Sequence, residues 1–161
     1  MSRIGRRGFL SSALGAVGGG ELVRRRTFEI LPARVQPAVV SSVNGLPYME
    51  GALERLAKGE DTLDVCVWAV TQVENDPKDQ SVGYGGFPNA EGVVELDACV
   101  MHGPSQTAGS VASLRNIKNP ASVARDVLRH TDHVMIVGEG ALRFAKSMGY
   151  PEENLLTEKT R

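Results

Sequence analysis

A glycine-dense turn running straight into an alternating strand, SVGYGGFPNAEGVVELDACVMHG from Ser81 to Gly103, constrains this chain more than any other stretch. Gly83, Gly85, Gly86 and Gly92, with Pro88 and Asn89 among them, call for a backbone that bends sharply through positive φ. Beyond the turn, Val94, Leu96, Ala98 and Val100 fall on one face and Glu95, Asp97 and Cys99 on the other. That alternation predicts a strand with one buried side. A tight loop delivering such a strand brings backbone close to a ligand or a second chain.

Strands and helices alternate on either side of it. Ala38–Ser42 reads as a first strand, ended by Asn44-Gly45 and Pro47. Met49, Ala52, Leu53 and Leu56 make a helical stripe between Tyr48 and Lys58, stopped at Gly59. Asp61 or Thr62 caps the next helix, whose Leu63, Val65, Cys66, Val67, Trp68, Ala69, Val70 and Val73 are apolar nearly all round. Such a helix is expected between two layers. Asn75-Asp76-Pro77 ends it. Ala108–Leu114 predicts a shorter strand, and Asn119 caps a helix opened by Pro120. His133–Val137 reads as a buried strand, Gly138 as a turn, and Glu139–Met148 as a helix closed by Gly149 and Pro151. The layers are sheet with helices packed on it.

With 161 residues, 42% hydrophobic and 23% charged, the chain is a soluble globular domain with a tail. Its net charge of −1 hides an asymmetry. Residues 1–34 carry seven arginines against Glu21 and Glu29, a net of +5; the remainder carries 11 basic against 17 acidic groups, a net of −6. Basic groups confined to a leader argue for targeting and against a nucleic-acid partner. The opening MSRIGRRGFLSSALGAVGGG, with Arg6-Arg7 before a weakly apolar run, has the form of a twin-arginine export signal. That implies a periplasmic or secreted protein, the bland alternative being a basic tail on a cytoplasmic one. Phe9–Val17 is too short and too glycine-rich to span a bilayer. Residues 1–34 are thus expected to be signal and linker, and 35–161 the folded part. The chain ends in PEENLLTEKTR, a polar stretch with no terminating logic, as a cut chain would.

The ordered strings SVGYGG-x-P-N, GVVELDACVMHG, GSVASLRNIKNPASVAR, TDHVMIVGEGALRFAKSMGY and ENLLTEK resemble the glycosylasparaginase branch of the N-terminal-nucleophile asparaginases, over about Pro37 to Lys159. The resemblance implies an α+β fold, the four-layer αββα sandwich of the N-terminal-nucleophile hydrolases, with only its N-terminal half present. It further implies a precursor that cuts itself ahead of a threonine. The freed threonine hydroxyl attacks a side-chain amide of asparagine, and its own α-amine takes the proton. In the family this nucleophile follows the ENLLTEK region, within His-Asp-Thr. The missing C-terminal (β) subunit carrying it is the expected partner, and a homodimer of such two-part units the expected assembly.

No catalytic residue is therefore expected in this chain, and by itself it is expected to be inert. His130-Thr131-Asp132 has the wrong order, and Thr157 and Thr160 lie in a polar tail where nothing is expected to orient them. Relatives place a tryptophan after the first strand to line the substrate pocket. Here Ser42 or Val43 takes that place, which leaves plain asparagine and β-aspartyl compounds as substrates beside glycosylasparagine. Ser81 matches the serine heading the family's glycine loop. Ser42, Val43, Ser81, Gly83 and Gly85 are the pocket or processing candidates; no cofactor is implied.

Sharper local readings compete with plainer ones. Gly83-x-Gly85-Gly86 does not lead from a strand into a helix, so a structural turn is preferred to a phosphate cradle. Val137-Gly138-Glu139-Gly140 sits where anions bind, but Glu139 repels one. His130, Asp132 and His133 diverge across a helix end and lack a further ligand, so no metal is expected. Asp97 and His102 invite an acid–base reading, yet Asp97 better suits backbone satisfaction. Cys66 and Cys99 read as two small buried hydrophobes. Two other functional classes remain open at this point: a non-catalytic truncated scaffold and a small-molecule-binding βα module. Strands meant for a missing partner would leave apolar faces in water, which predicts self-association.

Overall fold

A computed structural model describes residues 36–161, so the expected export signal and linker, residues 1–34, lie outside the described residues. In chain order come a 3-10 helix (Val43–Tyr48), α1 (Met49–Ala57), α2 (Thr62–Glu74), β1 (Glu95–His102), β2 (Thr107–Arg115), α3 (Pro120–His130), β3 (Met135–Val137) and α4 (Gly138–Ser147). The strands form one sheet in the order β1-β2-β3. β1 pairs antiparallel with β2 through a short hairpin, and β3 runs parallel to β2 because α3 makes the crossover between them.

The expected alternation along β1 holds. Ala98 and Val100 pack on the main core of Val111, Leu114, Ile117, Val123, Ala124, Val127, Ala141 and Ala145, while Leu96 is buried with Val94 and Leu155 in a smaller cluster. Contact between sheet and α3 is made backbone to backbone at Gly109. A methyl there would lie 2.3 Å from the Ala124 carbonyl oxygen and 2.6 Å from the Leu128 amide nitrogen. Between Leu96 and Ala98 the register slips, because β2 uses an extra residue: Leu96 faces Leu114 but Ala98 faces Val111. Ser113 takes φ +49° there, and its amide donates to Asp97 Oδ1 at 2.7 Å. Asp97 thus satisfies backbone, as expected of it.

Among the described residues, only one face of the sheet is covered. Register pairs Met101 with Ala108, Cys99 with Ser110, Ser110 with Met135 and Ala112 with Val137, which puts these residues on the opposite face. On it Met101 is 80% exposed, Met135 59% and Val137 55%. The reading of His133–Val137 as a buried strand is therefore corrected. β3 is a short edge strand whose alternate side chains have no layer to enter. Cys66 on α2 and Cys99 on β1, expected to be buried, are free and exposed. Helix α2 likewise buries Leu63, Val65, Val67, Ala69 and Val73 but leaves Val70 43% exposed. It packs on α1, α3 and β1, and its remaining stripe is open rather than sandwiched. The fold is α+β, and the described residues form helices packed on one face of a three-stranded sheet.

Two further expectations are corrected. Ala38–Ser42 is irregular, with Val40 94% exposed. No described strand lies beside it, and without a neighbour's ladder an extended segment has no pairing to make it a strand. Asn44-Gly45 and Pro47, read as its turn, form the 3-10 helix instead. At α2 the side chain of Asp61 caps as expected, Oδ1 accepting from the Leu63 and Asp64 amides at 3.0 and 3.2 Å. At α3 the expected cap fails: Asn119 makes no side-chain bond to its own helix. The Ala121 amide donates to Glu74 Oε1 at 3.0 Å instead, so the carboxylate ending α2 caps α3 from outside.

Gly109→Ala is expected to lower stability by about 2 kcal/mol, because the methyl meets immovable helix backbone. Gly103→Ala, where an added methyl meets nothing within 4 Å, is the control and should leave the urea midpoint unchanged.

Candidate functional site

Gly83 and Gly85 have φ of +60° and +88°, and Gly83 also lies so close to α2 that a methyl would fall 2.2 Å from the Glu74 carbonyl oxygen. The loop is tied at both ends of this pair. The Tyr84 amide donates to the Glu74 carbonyl at 2.7 Å and the Gly85 amide to the Leu155 carbonyl at 2.9 Å. Gly86 and Phe87 donate to Gly83 and Gln80. With these amides committed internally, the loop is a structural turn and not a phosphate cradle.

At the head of the loop, Ser81 joins a polar network that includes the other candidate serine. Ser81 Oγ donates to Asp79 Oδ1 at 2.5 Å, and the Ser81 amide donates to the same oxygen at 2.8 Å. Asn44 Nδ2 donates to Asp79 Oδ2 at 3.1 Å and to Ser81 Oγ at 3.3 Å. Ser42 Oγ in turn donates to Asn44 Oδ1 at 2.5 Å. Ser42 and Ser81, far apart in sequence, are thus linked through Asn44 and Asp79. The Ser81 hydroxyl, burial working against it, and then the Ser81 amide and Asn44 set Asp79, with the balance holding its carboxyl below the usual range. A carboxylate of such low proton affinity is a poor general base near neutral pH. Its part is to orient the Ser81 hydroxyl.

Two cavities flank this network. One of about 370 Å³ is lined by Ser42, Asn44, Met49 and Ala69, and one of about 610 Å³ by Ser81, Gly83, Glu74, Asp97 and Cys99. They share walls at Cys66, Val70 and Val82. Of the two alternatives for the lost aromatic wall, Ser42 faces the smaller cavity. Val43 is 88% exposed and lines neither. Gly85 does not line them; its place is the junction with the C-terminal segment.

That segment is more ordered than its polarity suggests. Leu155 is buried, Thr160 is 7% exposed, and the Thr157 and Thr160 hydroxyls lie 3.0 Å apart. The Thr157 amide also donates to Thr160 Oγ1 at 3.1 Å, so both threonines are oriented, contrary to the sequence expectation. Their partners are each other and backbone, which forms a turn and supplies no base.

The histidines settle into structural places. Thr131 closes α3, its amide and hydroxyl both donating to the Val127 carbonyl and its hydroxyl accepting from the His133 amide. The His130-Thr131-Asp132 string is therefore a helix end. Among the described residues no group of three or more His, Cys, Asp or Glu is placed to hold a metal ion. His102 does not meet Asp97. Its Nδ1 lies 2.7 Å from Ser105 Oγ, and its Nε2 lies 3.1 Å from Asp61 Oδ2 but off the line of a hydrogen bond.

Asn44, Asp79 and Glu74 escaped the sequence reading. Asp79 left a signal, since an Asp two residues before Ser81 has the spacing of a side-chain-to-backbone turn. Glu74 left none: a glutamate ending an apolar helix gives no sign that it is buried.

The family described as asparaginase matches residues 35–161. An N(4)-(β-N-acetylglucosaminyl)-L-asparaginase of Elizabethkingia miricola is 49% identical over 126 residues, 78% of this chain and 37% of that protein. A plant-type L-asparaginase of Pyrococcus horikoshii is 44% identical over 106 residues, 66% of this chain and 34% of its own length. The N(4)-(β-N-acetylglucosaminyl)-L-asparaginase of Mus musculus is 40% identical over 122 residues, 74% of this chain and 35% of its own. The matched stretch spans little more than a third of each of these relatives.

Because Asp79 is held below its ordinary value of 3.8, the stability it lends is present above that value and is lost as pH falls through the lower folded one. Asp79→Asn should remove this acid limb from the dependence of the urea midpoint on pH. Asp79→Ala should further cost about 1 kcal/mol at neutral pH by releasing Ser81 and Asn44.

Proposed function

Because this chain belongs to the asparaginase family, we propose that it is the first part of an amidohydrolase cleaving a side-chain amide of asparagine or of an asparagine derivative. The observation that carries this reading is the open groove beside the Ser42–Asn44–Asp79–Ser81 network, bordered by a sheet face that no described element covers. A complementary segment supplying a second sheet would cover Met101, Met135 and Val137 and complete a four-layer αββα sandwich. The chain spans about a third of its relatives' length, so the whole activity belongs to this proposal.

The nucleophile is a threonine at the new N-terminus of that segment, exposed by self-cleavage. Its hydroxyl attacks the amide carbonyl while its α-amine, with an ordinary value near ~8, accepts the proton. The tetrahedral oxyanion collapses, the C–N bond breaks and the amine leaves with that proton. Water then hydrolyses the ester. This chain contributes the wall: Ser81, aimed by Asp79, and the polar corner at Ser42 and Asn44. A polar corner in place of an aromatic one suits plain asparagine and β-aspartyl compounds. The relatives' names span both N(4)-(β-N-acetylglucosaminyl)-L-asparaginase and plant-type L-asparaginase. Export by the twin-arginine route and pairing of two-part units into a homodimer belong to the same reading. No described helix is long and apolar enough to cross a membrane.

Coexpression with a family segment that begins at threonine is expected to give amide hydrolysis, read as ammonia released from asparagine. The chain alone should release none. A folded, reassembled pair inactive towards asparagine, β-aspartyl peptide and glycosylasparagine alike would overturn the reading.

A further inference from the structure

Glu74 is 1% exposed, the most deeply buried charged side chain among the described residues, and the hydrolytic reading gives it no task. It stands where three elements meet. Oε1 accepts from the Ala121 amide at 3.0 Å and Oε2 from Asn119 Nδ2 at 3.1 Å, which fixes the carboxylate at the start of α3. The Glu74 carbonyl accepts from Tyr84 at 2.7 Å, and Gly83 lies against the Glu74 backbone too closely for any side chain. One residue therefore holds the N-terminus of α3 by its side chain and the glycine loop by its main chain. It also lines the 610 Å³ groove together with Ser81 and Gly83.

We propose that Glu74 is the positioning residue for the Ser81–Gly85 loop, its buried carboxylate locking the end of α2 to α3 so that the loop hung on its carbonyl keeps one geometry. This rests on the proposed function only in making that loop a wall of the reaction pocket. The mechanical coupling stands apart from any activity.

Charge gives the coupling a handle. The groove that Glu74 lines also carries Cys66 on its own helix and Glu95, Asp97 and Cys99 on β1, and Tyr84 stands on the loop bonded to the Glu74 carbonyl; the first turn of α3 brings Asn119, Pro120 and Ala121 and no ionisable group. None of these is a cation. Burial pushes Glu74 up from 4.5 to about 7, against the opposing pull of the Ala121 amide and Asn119. Its folded-state value is thus raised. The stability linked to it is full below 4.5 and declines as pH rises through about 7. Protonation of Oε2 would set a hydrogen against the Asn119 donor, so that contact breaks or the amide turns over.

The test is an amide ¹⁵N shift titration of the full chain from pH 5 to 9, wild type beside Glu74→Gln. Expected are shifts of Tyr84 and Ala121 that move together with one midpoint near about 7 and vanish in Glu74→Gln. Glu74→Ala should lower exchange protection at the Tyr84 amide by about tenfold or more, and Glu74→Gln should restore most of it by keeping an acceptor for Ala121. Titration of Ala121 without Tyr84 would reduce Glu74 to a helix cap and overturn the proposal. So would an unchanged titration in Glu74→Gln. Should Glu74→Ala not fold, the comparison of wild type with Glu74→Gln decides alone. No substrate is involved, so a chain that fails every hydrolysis assay can still pass, and the two readings fail separately.

Discussion

Helix α3 rests directly on the backbone of β2 at Gly109, and most of the structure follows from that contact. It fixes which face of the sheet is dry, because Val111, Ala98 and Val100 share the side on which Val123, Ala124 and Val127 press. It also fixes where α3 begins, hence where Ala121 presents its amide to Glu74. From Glu74 the constraint passes to Tyr84 and Gly83 and so to the loop headed by Ser81. A core contact and a pocket wall are thus joined by one buried carboxylate.

One-sided burial among the described residues accounts for a group of exposed apolar side chains. Cys66, Val70, Cys99, Met101, Met135 and Val137 are exposed together, around a single groove and its adjoining sheet face. Contiguous apolar surface of this kind marks a place where other polypeptide packs. The polar network of Ser42, Asn44, Asp79 and Ser81 lies at its border, where a layer laid on the sheet would close over it.

Legibility in the sequence followed how local each determinant is. The stripes of α1 and α4, the Asp61 cap and the alternation along β1 were readable because their causes lie within a few residues. The Asn119 cap was misread because the acceptor that won, Glu74, comes from a helix that ends some 45 residues earlier. Ala38–Ser42 had the composition of a strand, but strand formation depends on a partner and composition does not supply one. The burial of Cys66, Cys99 and β3 was overestimated since apolar patterning says which face seeks cover and not whether cover is at hand. Ser42 and Ser81 emerged only through family resemblance. That they share a network through Asn44 and Asp79 depends on folding.

By itself the sequence determined the family, the order of helices and strands from α1 to α4, and the positive φ of Gly83, Gly85 and Gly92 though not of Gly86, since these are written in ordered strings or short-range sterics. Tertiary structure decided that Glu74 is buried and bonded to α3, that Ser42 rather than Val43 faces the cavity, and that the described residues leave one sheet face uncovered. Each of those depends on distances between residues remote along the chain, and such distances exist only once the layers have packed.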